Sequence, residues 1–138
     1  MPNWCECYVT VTGKPNAIEC FLRTELKAYD DDGKPEEIQI FEERKILCIS
    51  SKSQKLFILG MQRAYSPVKV EFRKNTSKLN LFLLSAWDIN AKELAILSEK
   101  YNIDFSVSGE EPNMEFFRNI LVRNGKIEID ETENFSES

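Results

Sequence analysis

Residues 5 to 15 read CECYVTVTGKP, a strand running straight into the start of a helix. Cys5, Cys7, Val9 and Val11 fall on one side, and Glu6, Tyr8, Thr10 and Thr12 on the other. That alternation, rich in β-branched residues, has the period of a strand with one face buried. Gly13-Lys14-Pro15 ends it, because proline has no N–H for a ladder but fits the first turn of a helix. From Asn16 to about Tyr29, Ile18, Phe21, Leu22, Leu26 and Tyr29 recur at helical spacing. The polar AYDDDGKP, residues 28 to 35, is the expected stop.

Further along, EIQIF (37 to 41), ILCIS (46 to 50) and LFILGM (56 to 61) are short apolar runs that predict strands. The last also suits a helix or a buried loop. SSKSQK between the second and third is a turn. In PVKVEFR, Val68, Val70 and Phe72 alternate with Lys69, Glu71 and Arg73. LNLFLLSAW, residues 79 to 87, is the most apolar run and is expected in the middle of its sheet. Asn90, with Glu93 three residues on, has the pattern of a capping box, and Ala91, Leu94, Leu97, Ser98 and Tyr101 form one face of the helix it starts. IDFSVS (103 to 108) alternates again, and Asn124-Gly125 between two extended runs is a type I′ hairpin signal. Residues 1–130 are expected to form one domain, followed by a flexible acidic tail, 131–138. The element order predicts an α+β sandwich, with an antiparallel sheet carrying two main helices on one face.

Composition narrows the chemistry. Among 138 residues there is no histidine, which removes His general bases, Ser-His-Asp triads and mixed Cys/His zinc patterns. Five scattered glycines form neither a dinucleotide fingerprint nor a Walker A loop. Without a signal-peptide pattern or a long apolar run, a cytoplasmic protein with reduced cysteines is expected. The net charge is −5, but between Arg44 and Lys78 nine Lys/Arg face one acid, Glu71. Acids gather at Asp30, Asp31 and Asp32, at Glu36 and Glu37, and from Glu128 to Glu137. Such a bipolar chain hints at an oriented partner surface, with ordinary solvated charge the plainer account.

The opening MPNWC…VTVTG resembles the YubB-like, or Api92-like, ferredoxin-domain family of uncharacterised phage and mobile-element proteins. The resemblance recurs where a strand ending in Trp87 is followed by a helix, a strand and Glu111-Pro112-Asn113-Met114-Glu115-Phe116. It implies a ferredoxin-like β-α-β-β-α-β path with a strand-rich insertion, and no iron. The chain departs from the family pattern at Cys7, where Asn is common, and at Asp88-Ile89-Asn90, where prolines usually follow the tryptophan.

Four candidate sites stand out. Cys5, Cys7, Cys20 and Cys48 lack the close Cys-x-x-Cys pairs of a zinc site. Cys20 falls opposite the apolar face of its helix, so core packing is favoured over metal or redox roles, and no cofactor is expected. Trp87, Asp88, Glu110, Glu111 and Asn113 would form a rim pocket if the strands carrying them were neighbours; Trp4 and Trp87 as sheet-edge anchors is the plainer account. Lys69, Arg73, Lys74 and Lys78 form a candidate basic surface for nucleic acid, although Phe72, the one aromatic of that strand, shares its apolar face. Asp30, Asp31 and Asp32 are a candidate acidic surface.

The expected function is a noncatalytic protein-interaction module of a phage or mobile element, with anti-defence inhibition of a host protein as its specific form. The alternatives are a nucleic-acid-binding accessory protein using residues 44–78 and a small enzyme with a Trp/carboxylate pocket. A host protein is the expected partner, nucleic acid is less favoured, no membrane is expected, and a homodimer is left open.

Overall fold

Strand β1 (Cys5–Thr12) turns Cys7, Val9 and Val11 into the core and leaves Glu6, Tyr8 and Thr12 exposed. The helix α1 (Pro15–Glu25) follows, with Pro15 in its first turn. Next come β2 (Ala28–Tyr29), β3 (Pro35–Glu36), β4 (Ile38–Glu42), β5 (Ile46–Ser51), β6 (Leu56–Phe57), β7 (Ala64–Ser66), β8 (Val70–Arg73) and β9 (Lys78–Ser85). Helix α2 (Ala91–Tyr101) and strands β10 (Asp104–Glu111), β11 (Phe116–Arg123) and β12 (Lys126–Asn134) complete the chain. This is a computed structural model, and it describes residues 5–30, 32–53, 55–58, 64–67, 69–85, 90–111 and 116–134.

The fold is α+β. The largest sheet has seven strands in the order β12-β11-β10-β1-β9-β7-β6, every neighbouring pair antiparallel. Its central run β10-β1-β9-β7 is consistent with a coarse ferredoxin-like description. β9, the most apolar stretch, lies inside the sheet as expected, because Leu79, Leu81 and Leu83 bury beside β1's core side chains. Both helices cover that same face. Ile18, Phe21 and Leu22 of α1 and Leu94 and Leu97 of α2 join one core cluster with Phe105, Val107, Ile120 and Val122. A three-stranded sheet, β4-β5-β8, adds Leu47, Ile49, Val70 and Phe72 to the same cluster. Among the described residues no helix is long and apolar enough to cross a membrane.

Three expectations are corrected. Helix α1 stops at Glu25 rather than near Tyr29: Leu26 is extended (φ −73°, ψ 127°), and Lys27 exchanges backbone hydrogen bonds with Phe57 at 2.8 and 2.7 Å. Bridging to a distant strand outcompetes another helical turn, and Tyr29 packs edge-on against Phe57. Residues 131–134 belong to β12 rather than to a tail, paired with Phe116–Asn119. An edge strand needs hydrogen bonds on one side only, so it tolerates acids a central strand would not; residues 135–138 lie outside the described set. Finally, β9 and β10 are not neighbours, because β1 runs between them.

The turn signals behave as their chemistry requires. The Asn90 side chain accepts the Lys92 N–H at 2.9 Å, capping α2, and Asn102 ends that helix in the left-handed region at φ 57°. Asn124 and Gly125 both have positive φ, 52° and 74°, as a type I′ hairpin demands. The Gly125 N–H donates to the Ser98 hydroxyl at 3.0 Å, tying the hairpin to α2.

Candidate functional site

The helices cover one side of the large sheet, and among the described residues the other side is open. Its centre carries Tyr8 of β1 and Phe82 of β9, directly opposite each other in register, with ring centroids 5.2 Å apart and planes at 50°. Tyr8 is 58% exposed. Sheet alternation explains the placement: Val9 and Leu81 must bury, so their neighbours Tyr8 and Phe82 point outward. The same parity brings Leu84, Leu121, Phe117 and Ile129 to this face, the last two 39% and 40% exposed.

A second aromatic group lies at the β6–β7 side. Tyr65 pairs with Leu84 and Phe57 with Tyr65, with the two rings 5.5 Å apart and the Lys55 ammonium 5.3 Å from the Tyr65 centroid. Between the apolar groups sit small polar ones. Thr10 donates to Asn80 Oδ1 at 3.2 Å, and Ser106, Asn119, Leu121, Ile129 and Glu131 line an open depression farther across. The charged groups are sorted by place, acids at one end and mostly bases at the other. Glu6 and Glu110 face each other across β1 and β10, with Glu131 beyond, while Asp104 shares the opposite end of the face with Lys78, Arg123 and Lys126. Arg123 is within 3.7 Å of Glu128. The arrangement offers aromatic and aliphatic contact area with an acidic end at Glu6 and Glu110 and a mixed one at Lys78, Asp104 and Arg123. It has the anatomy of a binding surface.

The candidate basic surface is divided. Lys69 pairs with Glu71 at 3.2 Å, whose hydrogen bond raises the lysine pKa above its ordinary value. Lys74 binds Glu42 at 2.5 Å, alongside Arg23 at 2.9 Å, and these cations lower the Glu42 pKa, the Lys74 hydrogen bond first. Arg73 is exposed on the three-stranded sheet, and Lys78 stands on the open face of the large one. Phe72 is buried.

Of the proposed rim pocket, Trp87, Asp88 and Asn113 lie outside the described residues, as does Trp4. Glu110 stands on the open face opposite Glu6, and Glu111 is the end of β10, paired with Phe116. The ends of β9 and β10 share one end of the sheet but are separated by β1, about two strand spacings or ~10 Å across. In the acidic cluster, Asp30 Oδ1 accepts the N–H groups of Asp32 and Lys34, each at 2.9 Å, so Asp30 builds the turn; Asp32 is exposed and Asp31 lies outside the described residues.

Cys7 is buried among valines and leucines, Cys48 is half-buried, and Cys20 is exposed on α1. Among the described residues no three His, Cys, Asp or Glu groups are gathered to hold a metal ion.

Tyr8 and Phe82 were not singled out by sequence reasoning. A signal was present: Tyr8 alternates with the core residues of β1, and Phe82 shares parity with the polar Lys78 and Asn80. The surrounding leucines hid it by making both faces of β9 look buried. Compared with known proteins, the chain matches no protein-family model, no curated protein and no solved structure.

Proposed function

We propose that this chain is a noncatalytic protein-interaction module that docks a partner protein on the open face of its large sheet. The pair of exposed Tyr8 and half-buried Phe82 carries the reading. Two large rings in the middle of a face that no described element covers, with Leu84 beside them and Phe117, Leu121 and Ile129 farther across, give a partner apolar area to bury. Glu6 and Glu110 at the near end of the face, with Glu131 across it, in a chain of net charge −5, favour a partner with a basic rim there. The resemblance to the YubB-like family supports a ferredoxin-like core in which the segment between α1 and β7 is an insertion. It also supports a phage or mobile-element setting, in which the partner is a host protein and the effect is inhibition of a defence.

Aromatics on adjacent central strands are also how single-stranded nucleic acid is stacked, and Tyr8 and Phe82 favour that as a second reading. The acidic end of the face and the neutralised Lys69 and Lys74 weigh against it, because phosphate contacts supply most of such affinity.

The test is affinity purification of the tagged protein from its host, with and without nuclease, in parallel with a Tyr8→Ser/Phe82→Ser variant and a Glu6→Lys/Glu110→Lys variant. A stoichiometric, nuclease-resistant protein that both variants lose, with unchanged circular dichroism, is the expected result. Recovery of nucleic acid alone, or a partner that both variants retain, overturns the proposal.

A further inference from the structure

Among the described residues, four strands of the two larger sheets have an edge without a partner strand: β12 and β6 in the large sheet, and β4 and β8 in the three-stranded one, where β8 is only four residues long and carries the exposed charges of Glu71 and Arg73. They are not equivalent. β6 has two residues, too few for an extended ladder. β12 carries Glu128, Asp130 and Glu131, so pairing it with itself would set carboxylates against carboxylates. β4, Ile-Gln-Ile-Phe-Glu, contains no lysine or proline, the devices that usually protect an edge. Its one charge, Glu42, is already neutralised by Arg23 and Lys74.

Its hydrogen-bonding pattern shows which groups are available. Glu43 N–H donates to Ile46 at 2.9 Å, and Glu42 stands opposite Leu47. Antiparallel pairs alternate between bonded and non-bonded, so residues 39, 41 and 43 direct their backbone groups at β5. Those of Ile38, Ile40 and Glu42 therefore point away from the sheet. Beside them, the Ile40 side chain is 49% exposed and Phe41 63% exposed, the latter more than any other large apolar residue described.

We infer that β4 is a dimerisation edge, and that its occupant is β4 of a second copy of this chain, antiparallel about a two-fold axis at Ile40. In that register Ile40 faces its own copy, Ile38 faces Glu42, and Gln39 faces Phe41. All three outward residues then fall in hydrogen-bonded pairs, giving about six bonds across the seam. The two three-stranded sheets become one of six strands, and each partly exposed Ile40 covers the other. The symmetry is the closed, isologous kind, which limits growth to a dimer. The seam is on a different sheet from the Tyr8–Phe82 face, so a dimer would present two docking faces.

Sedimentation equilibrium from low micromolar to near-millimolar protein tests this, comparing wild type with Ile40→Lys, Ile40→Thr and, as the control at the other edge, Ile129→Lys. The wild type and the control are expected to shift together from monomer to dimer mass. Ile40→Lys, placing two ammonium groups opposite each other at the axis, is expected to raise the dissociation constant by about tenfold or more. Ile40→Thr keeps the strand propensity and tests the same contact should the lysine variant misfold. A wild type that stays monomeric throughout, or a dimer weakened by Ile129→Lys and not by either Ile40 variant, overturns the inference.

Discussion

Tyr101 joins the two helices through its hydroxyl, which donates to Glu25 at the end of α1, while Lys100 lies 3.5 Å from the same carboxylate. Its ring packs edge-on against Phe21, with centroids 5.6 Å apart. The phenol pKa is raised, first by burial and then by the bond to Glu25, with Lys100 opposing. The native state thus favours the neutral phenol. Its contribution to stability is complete below the ordinary value of 10.0 and is lost as pH rises through the higher native value. Denaturant unfolding across that alkaline window should show stability falling with pH more steeply in the wild type than in Tyr101→Phe, which keeps the ring contact but has no proton to lose. Identical slopes would mean that the hydroxyl titrates as it does in the unfolded chain. In the sequence, Tyr101 was legible as a helix-face residue, but Glu25 is 76 positions away and nothing local indicates the pair.

Elements bounded by strong local chemistry are legible, and those bounded by distant pairing are not. α2 has its cap at Asn90, its left-handed stop at Asn102 and its buried face at Ala91, Leu94 and Leu97. The β11–β12 hairpin follows from Asn124-Gly125 for the same reason: a two-residue turn with both φ positive needs those residue types. Gly125 is doubly constrained, since a Cβ there would approach Glu99 Cβ at 3.0 Å while the backbone holds φ at +74°. Gly125→Ala should therefore lower stability by about 1–2 kcal/mol, read from the denaturant midpoint at unchanged m-value. A loss of a few tenths would mean that the turn relaxes into another type at little cost. By contrast, the end of α1 and the small β2–β3 ladder differ from the sequence expectation because Leu26 and Tyr29 continue the helical spacing of Ile18 and Leu22. The bridge between Lys27 and Phe57 decides between them, and a helical wheel cannot contain it.

One core cluster receives side chains from the large sheet, the small sheet and both helices, so the described elements should unfold together. Phe21 stands at their junction, fully buried and edge-on to both Tyr101 and Phe105. Phe21→Ala should cost about 3–5 kcal/mol and move the far-UV dichroism and tyrosine fluorescence transitions by the same amount. Separate midpoints would mean that the β4-β5-β8 sheet melts as its own unit. The amino-acid order by itself determined the α+β class, the buried faces of β1, β8 and α2, and the hairpin, because periodicity, caps and turn chemistry act over a few residues. Tertiary structure alone decided that β1 separates β9 from β10, that Glu42 neutralises Lys74, and that Tyr8 meets Phe82 across 74 positions on a face that no described element covers. Those outcomes depend on which strands become neighbours, and strand pairing is settled by burying all the apolar faces at once.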